Sequence, residues 1–405
     1  MPTRVTDEMR ALVPDGTPLE RLLQRASAPL AAVLDRSLER RELGTEDLLL
    51  LLDTSEDDLR ATIAVADRVR RDDVGDTVTY VVNRNINFTN ICFVGCQFCA
   101  FKRQRWETDA YNHDTDAVLA KVAEAVERGA TEVCMQGGIN PQMGAFTYRD
   151  MLRAIKGEFP AVHLHACSPM EIMYGARRTN MHYPEYLTML REAGLGSLPG
   201  TAAEILDDAV REILSHKKVD VATWIEIITT AHRLGIPTTS TVMYGHIETG
   251  AHIAAHLDLI RRIQHETGGF TEFVPLRFIY QNTTLYHRGL VEPGEQGASD
   301  LRMYAACRLF FRGVIDNLQT SWVKLGHELA TLSLAAGVND FGGTLMEESI
   351  SREAGADSGE YTPAADIERM IRSMGRTPME RTTLYRPVTS RPVRATAAHR
   401  EQICA

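Results

Sequence analysis

Apolar residues recur with helical spacing over residues 1–77: Leu19, Leu22, Leu23 and Ala26 share one face, as do Leu59, Ile63, Ala66 and, slightly off-axis, Val69. Thr17 followed by Pro18 reads as an N-cap with proline in the first helical position. From Val78 the texture changes. Short β-rich runs, VTYVVN, EVCMQ, VHLHA, GSLPG, TTSTVMY, EFVPL, TSWVKL and GVNDF, make eight predicted strands. The stretches 114–128, 220–234, 252–267 and 299–313 have helical spacing and suit crossovers between parallel strands. The pattern predicts an α/β chain: a helical N-terminal extension over 1–77, a (β/α)8 TIM-type barrel over 78–355, and a C-terminal cap over 356–387. Val388 to Ala405 is polar and basic with no periodic apolar face and reads as a flexible tail.

With 44% apolar and 24% charged residues among 405, the chain has ample material for a core. A net charge of -10 argues against a nucleic-acid partner, which would need clustered cations to neutralise phosphates. Apolar runs such as Leu48 to Leu52 are far too short to span a membrane. The opening MPTRVTDEMR has no apolar signal segment, and three of the seven cysteines fall within eight residues rather than in a spread disulfide framework. These features point to the cytoplasm.

The three clustered cysteines, Cys92, Cys96 and Cys99, follow the first predicted strand. In a barrel this is the first βα loop, on the rim where active sites gather, and Gly95 gives it freedom to wrap. Three soft thiolates favour zinc or an iron-sulfur cluster. Zinc would need a fourth ligand such as His113, and the remaining cysteines are isolated. A cubane cluster could instead keep one iron open for chemistry. A zinc-stabilised binding module without catalysis is the rival from another class.

The spacing Cys-x-x-x-Cys-x-Phe-Cys resembles the signature of the radical S-adenosylmethionine (SAM) superfamily. The resemblance implies a [4Fe-4S] cluster held by the three cysteines. SAM would be chelated at the open iron and cleaved by one-electron reduction to a 5'-deoxyadenosyl radical, with a flavodoxin or ferredoxin as electron donor. The runs NRNINFTNIC, TEVCMQGGINP, HLHACSPMEI, LPGTAAEILDD, TTSTVMYGHIET and NDFGGTLMEESISREAGA further resemble one family. It is the second subunit of 7,8-didemethyl-8-hydroxy-5-deazariboflavin synthase, the 4-hydroxyphenyl transferases acting on L-tyrosine and 5-amino-6-(D-ribitylamino)uracil. That resemblance implies cleavage of tyrosine at Cα–Cβ and joining of its 4-hydroxybenzyl unit to C5 of the uracil, a step in deazaflavin coenzyme biosynthesis. The first synthase subunit would be the functional partner, whether or not the two form a complex. Menaquinone-pathway enzymes acting on futalosine-type substrates share the GHIET run and are the alternative within the superfamily.

Cofactor-binding candidates follow from position and resemblance. Phe98 matches the motif's aromatic near the SAM adenine, or is plain loop packing. Gln136, Gly137 and Gly138 follow the second strand, where carbonyls without nearby Cβ atoms approach the SAM amino group, or form a tight turn. His163 and His165 face one side of the third strand. Beyond them, Ser168 and Glu171 could bind the SAM ribose or a substrate amine, or cap a helix. Glu204, and Gly245, His246 and Glu248, fall after the fourth and fifth strands, where a ligand rim or ordinary turns both fit. Residues 342–348 could hold a ribityl chain or start a helix. A cation for tyrosine's carboxylate is conceivable at Arg277 or Lys324.

Overall fold

The computed structural model describes residues 5–14 and 16–395. Five helices, Asp7–Leu12, Leu19–Arg25, Ala28–Leu38, Thr45–Leu52 and Glu56–Val74, form the N-terminal extension. Leu59, Ile63, Ala66 and Val69 are buried, and their helix packs on Ala298–Phe310. The helix after Pro18 begins one residue later than predicted: Pro18 is itself the cap residue, in an extended conformation, and no side chain caps the turn.

The eight strands are β1 (Thr77–Val81), β2 (Asn83–Ile86), β3 (Glu132–Met135), β4 (His163–Ala166), β5 (Thr238–Tyr244), β6 (Phe270–Arg277), β7 (Asp340–Gly343) and β8 (Thr377–Glu380). β1 and β2 run consecutively as the first barrel position. β1 pairs in parallel with β7, and β2 with β3. The ring continues through β4, crosses to β5 by the parallel bridges His165–Ser197 and Leu198–Thr238, and passes to β6. It closes onto β7 through the bridges Phe273–Leu318 and Gln319–Asp340. The expected (β/α)8 barrel is therefore present, with its fourth and seventh positions reduced to short bridged segments. The crossover helices Thr115–Glu127, Val221–Arg233, Gly250–Thr267 and Ala298–Phe310 fall where helical spacing placed them.

Two strand expectations need correction. TSWVKL is not the seventh strand. The pairing residues are Leu318 and Gln319, and Trp322–Leu325 coils into one helical turn because the Trp322 indole N–H donates inward to Gly343 O at 2.9 Å. The strand expected at GVNDF is β7, which begins within that run at Asp340 and continues to Gly343.

The region expected only to cap the barrel contributes β8, which pairs with β1 in parallel from Thr77–Thr377 to Tyr80–Glu380. It delivers Arg381 into the barrel's base, where its guanidinium bonds both Asp340 oxygens at 2.5 and 3.1 Å and lies 4.0 Å from the Tyr385 ring. The described part of the tail is anchored: Arg391 pairs with Glu380 and Arg394 with Glu158. Residues 396–405 lie outside the described residues.

Candidate active site

The cysteine loop leaves β2 and is pinned from several sides. Cys92 N–H donates to Arg103 O (3.1 Å), Phe93 N–H to Ile139 O (3.2 Å), Gln97 N–H to Leu214 O (2.8 Å) and Leu285 N–H to Gln97 O (3.0 Å). Gly95 takes a φ of 76°, a left-handed turn that keeps the loop tight. Cys96 is buried, Cys92 and Cys99 are half-buried, and all three line one cavity of about 260 Å³. Burial pushes the Cys96 thiol up to about 12 and raises Cys99 as well. Bound metal would reverse this by favouring the thiolates.

The donor set fits a cluster better than a single ion. Three soft thiolates line the cavity with no further Cys and no His among its lining residues, a donor set that leaves one position of a cubane open. His113, the proposed fourth zinc ligand, instead packs against Tyr111 with ring centroids 4.7 Å apart. Cys134, Cys167 and Cys307 have raised thiol pKa values through burial and stand as inert packing residues.

Seven cofactor-binding candidates line the same cavity: Phe98, Gln136, Gly137, Gly138, Ser168, Glu171 and Glu204. The glycines have a packing role that the sequence did not disclose. A Cβ on Gly138 would lie 2.3 Å from Ile91 O, and one on Gly137 would lie 2.5 Å from the Phe88 ring. The pair is therefore the seat on which the cysteine loop rests.

Ser168 and Glu171 form the capping box of the helix Pro169–Thr179, as the plainer reading had it. The Glu171 carboxylate accepts from Ser168 N–H (2.7 Å), Ser168 Oγ–H (2.7 Å) and Gly137 N–H (3.1 Å). Burial raises its pKa to about 7 against these bonds. Glu204 adopts a positive φ of 41°, and nearby Ala202 one of 63°, backbone strain of the kind stored at ligand sites. Its Oε1 accepts from Lys218 Nζ at 2.6 Å, and its buried Oε2, 3.5 Å from Arg211 Nη1, makes no hydrogen bond. That open acceptor beside the cysteine loop suits a ribose hydroxyl.

Gly245, His246 and Glu248 are the exception: they do not line the cavity. Glu248 accepts from the N–H groups of Gly245 and His246 at 2.5 and 2.9 Å, and His246 Nε2 lies 3.0 Å from Met243 O. The run closes on itself and supports Met243, which does face the cavity.

A second lobe of about 260 Å³ continues toward the barrel's base, sharing Gln136, Thr201, Thr241, Leu276, Lys324 and Ile350 with the first. Its wall is polar. Asn83 and Asn85 of β2 and Asn87 just beyond its end line this lobe, and Asn87 Oδ1 is a buried acceptor without a partner. The sequence reading missed these asparagines, although their period of two on a buried strand was a signal. His163 and His165 both reach Ser197 Oγ at 2.7 Å, confirming one face, and burial lowers both pKa values. In the run 342–348, Glu347 pairs outward with Lys121 at 2.7 Å, while Glu348 caps the helix Ser349–Ala354 through Ser351. Arg277 forms a two-oxygen salt bridge with buried Asp300, both contacts 2.7 Å, and is not a free cation. Lys218, also missed, stands 5.0 Å from the Phe98 ring.

A closed parallel barrel with a three-cysteine loop over its C-terminal mouth defines a radical SAM enzyme. Residues 86–260 match the radical SAM superfamily, residues 267–393 match the CofH/MqnC C-terminal region, and the chain belongs to that superfamily. The barrel is shared by methylornithine synthase (TM-score 0.66, 18% identity, 85% of this chain and 97% of the other). It is also shared by a maturase of the [FeFe]-hydrogenase (TM-score 0.69, 14% identity, 94% and 81%).

More narrowly, the chain belongs to the family of 5-amino-6-(D-ribitylamino)uracil--L-tyrosine 4-hydroxyphenyl transferases. The Methanothermobacter thermautotrophicus protein of that name is 52% identical over 85% of this chain and 94% of its own length. The FO synthase of Nocardia farcinica is 48% identical over 91% of this chain, which spans 43% of that longer protein. A [4Fe-4S] cluster and SAM are the cofactors of this superfamily. The C-terminal match covers both families weighed from sequence, but the transferase relative, matched along nearly its whole length, separates them.

Proposed function

We propose that the chain transfers the 4-hydroxybenzyl group of L-tyrosine to 5-amino-6-(D-ribitylamino)uracil, a step in deazaflavin coenzyme biosynthesis. The observation that carries this reading is the 52% identity to the transferase over 94% of that protein. The cavity supports it. One lobe holds the cysteine loop, and the other presents amides and carboxylates that suit a polyol and a uracil edge.

When bound, cluster and SAM supply a 5'-deoxyadenosyl radical that activates tyrosine. The chain's own residues then bind and orient. Glu204, held by Lys218, offers an open acceptor beside Phe98. Glu171 fixes the Gly137 amide and so the floor under the cysteine loop. Asn83, Asn85 and Asn87 position the acceptor substrate, and the barrel wall excludes water from the bond being broken.

The cluster's electron comes in this reading from a flavodoxin or ferredoxin, and the product passes to the first synthase subunit. A cytoplasmic site fits, since no helix among the described residues is long and apolar enough to cross a membrane. Anaerobic reconstitution followed by reduction with SAM, tyrosine and the uracil tests the function. Mass spectrometry should find 5'-deoxyadenosine together with a hydroxybenzyl-uracil adduct. Deoxyadenosine without the adduct would overturn the substrate assignment.

A further inference from the structure

Five Lys and Arg side chains line the two lobes: Lys102, Lys218, Arg277, Lys324 and Arg381. Three are neutralised within the protein. Lys218 is held by Glu204 (2.6 Å), Arg277 by Asp300 (2.7 Å), and Arg381 by Asp340 (2.5 Å) and Glu272 (3.3 Å). Lys102 lines only the lobe of the cysteine loop, three positions after Cys99. Lys324 alone among the five belongs to both lobes, and its ammonium makes no hydrogen bond or ion pair with a described residue.

Its placement is rigid. Lys324 sits on the turn Trp322–Leu325, held by the Trp322 indole on Gly343 O (2.9 Å) and by Lys324 N–H on Ser321 O (3.0 Å). Burial lowers the Lys324 pKa, while Glu348 of the polar lobe and Cys99 of the cluster lobe act in the opposite direction, which places the ammonium between the two lobes. A cation left open in a buried cavity is costly unless a ligand supplies the anion.

The ribitylaminouracil is a neutral ring and polyol with no formal charge for a lysine to meet. The carboxylate of SAM would be met on the cluster side, by the open iron that the cysteine triplet leaves. The remaining anion among the reactants is the α-carboxylate of tyrosine. We propose that Lys324 is the tyrosine-anchoring residue, binding the α-carboxylate at the junction of the lobes. The amine and Cα then face the cysteine loop and the side chain points toward the acceptor lobe. The proposal rests on the transferase reading above.

Equilibrium dialysis of the reconstituted holo chain, without reductant, tests it with L-tyrosine, tyramine, SAM and the uracil as separate ligands. Lys324→Gln should weaken L-tyrosine by about 10- to 100-fold, the worth of one charge-assisted hydrogen bond. Lys324→Arg should recover most of that loss. Tyramine, which lacks the carboxylate, should bind wild type and Lys324→Gln alike, and SAM and the uracil should be unaffected. Unchanged tyrosine affinity in Lys324→Gln overturns the assignment. So does a loss that falls on SAM or on the uracil, or one that tyramine shares. A wild-type chain that binds no tyrosine overturns the transferase reading and this inference together. Wild type that forms the adduct beside an unaffected Lys324→Gln removes only the lysine's role.

Discussion

The ammonium of Lys218 stands 5.0 Å from the centroid of the Phe98 ring, joining the aromatic of the cysteine loop to the rim after the fourth barrel position. The same ammonium donates to Glu204 at 2.6 Å, and Arg211 lies 3.5 Å from the other oxygen of that carboxylate. Burial pulls the Lys218 pKa down, but Glu204 and Cys96 more than offset it and hold it above the usual lysine value.

Lys218→Gln therefore leaves Glu204 as a poorly paired buried charge, and the chain should lose about 3 kcal/mol of stability. Removing the carboxylate as well, in Lys218→Gln with Glu204→Gln, should recover much of it. Urea unfolding of wild type, both single variants and the double variant measures the coupling. Additive losses would mean that the pair is not a unit.

Gly138→Ala should detach the cluster before it unfolds the barrel. The added Cβ falls 2.3 Å from Ile91 O and 3.0 Å from Cys92 Cβ, so the loop must move to admit it. Overpacking of this kind costs about 1–3 kcal/mol, borne by the loop that carries the ligands. Iron and sulfide per chain after reconstitution should fall well below about four of each. Far-ultraviolet circular dichroism should stay that of wild type. Full iron content would show that the loop adapts freely.

Glu171 gives a pH dependence whose sign is fixed. Burial raises its pKa in the fold to about 7, above the ordinary 4.5. Its contribution is fully present below the unfolded value and is lost as pH rises through the folded one. The stability difference between wild type and Glu171→Gln should therefore shift against wild type from about pH 5 to about pH 8, by on the order of 3 kcal/mol. Urea unfolding of both proteins at the two pH values checks it. A difference that does not change with pH would mean that Glu171 stays ionised throughout.

The barrel was legible because its signal is repeated. Inward-facing β-branched runs and amphipathic crossovers recur, and the cysteine triplet carries its chemistry in its spacing. What escaped was decided by tertiary contacts. The Trp-Val-Lys-Leu run has strand-like composition, yet the indole bond to Gly343 coils it. The GHIET run looked like a ligand rim, but Glu248 spends both oxygens on its own turn. Lys218 was invisible because its partners, Phe98 and Glu204, lie 120 and 14 positions away. β8 escaped because Thr-Pro-Met-Glu is too short to show a period, and only pairing with β1 makes it a strand.

That late strand has an energetic consequence in the barrel's base. Arg381 is buried against Asp340 and Glu272, and the Tyr385 hydroxyl also donates to Glu272. Burial pushes Glu272 up to about 7 even with Arg381 pulling the other way. Arg381→Met removes the cation and leaves two carboxylates facing each other in the interior, a loss of about 3–5 kcal/mol. The deficit requires the carboxylates to be charged, so it should be largest above pH 7 and shrink as the solution is acidified and Glu272 takes up a proton. Urea unfolding of Arg381→Met and wild type across that range reads the difference directly. A deficit independent of pH would assign the loss to packing of the arginine stem rather than to its charge.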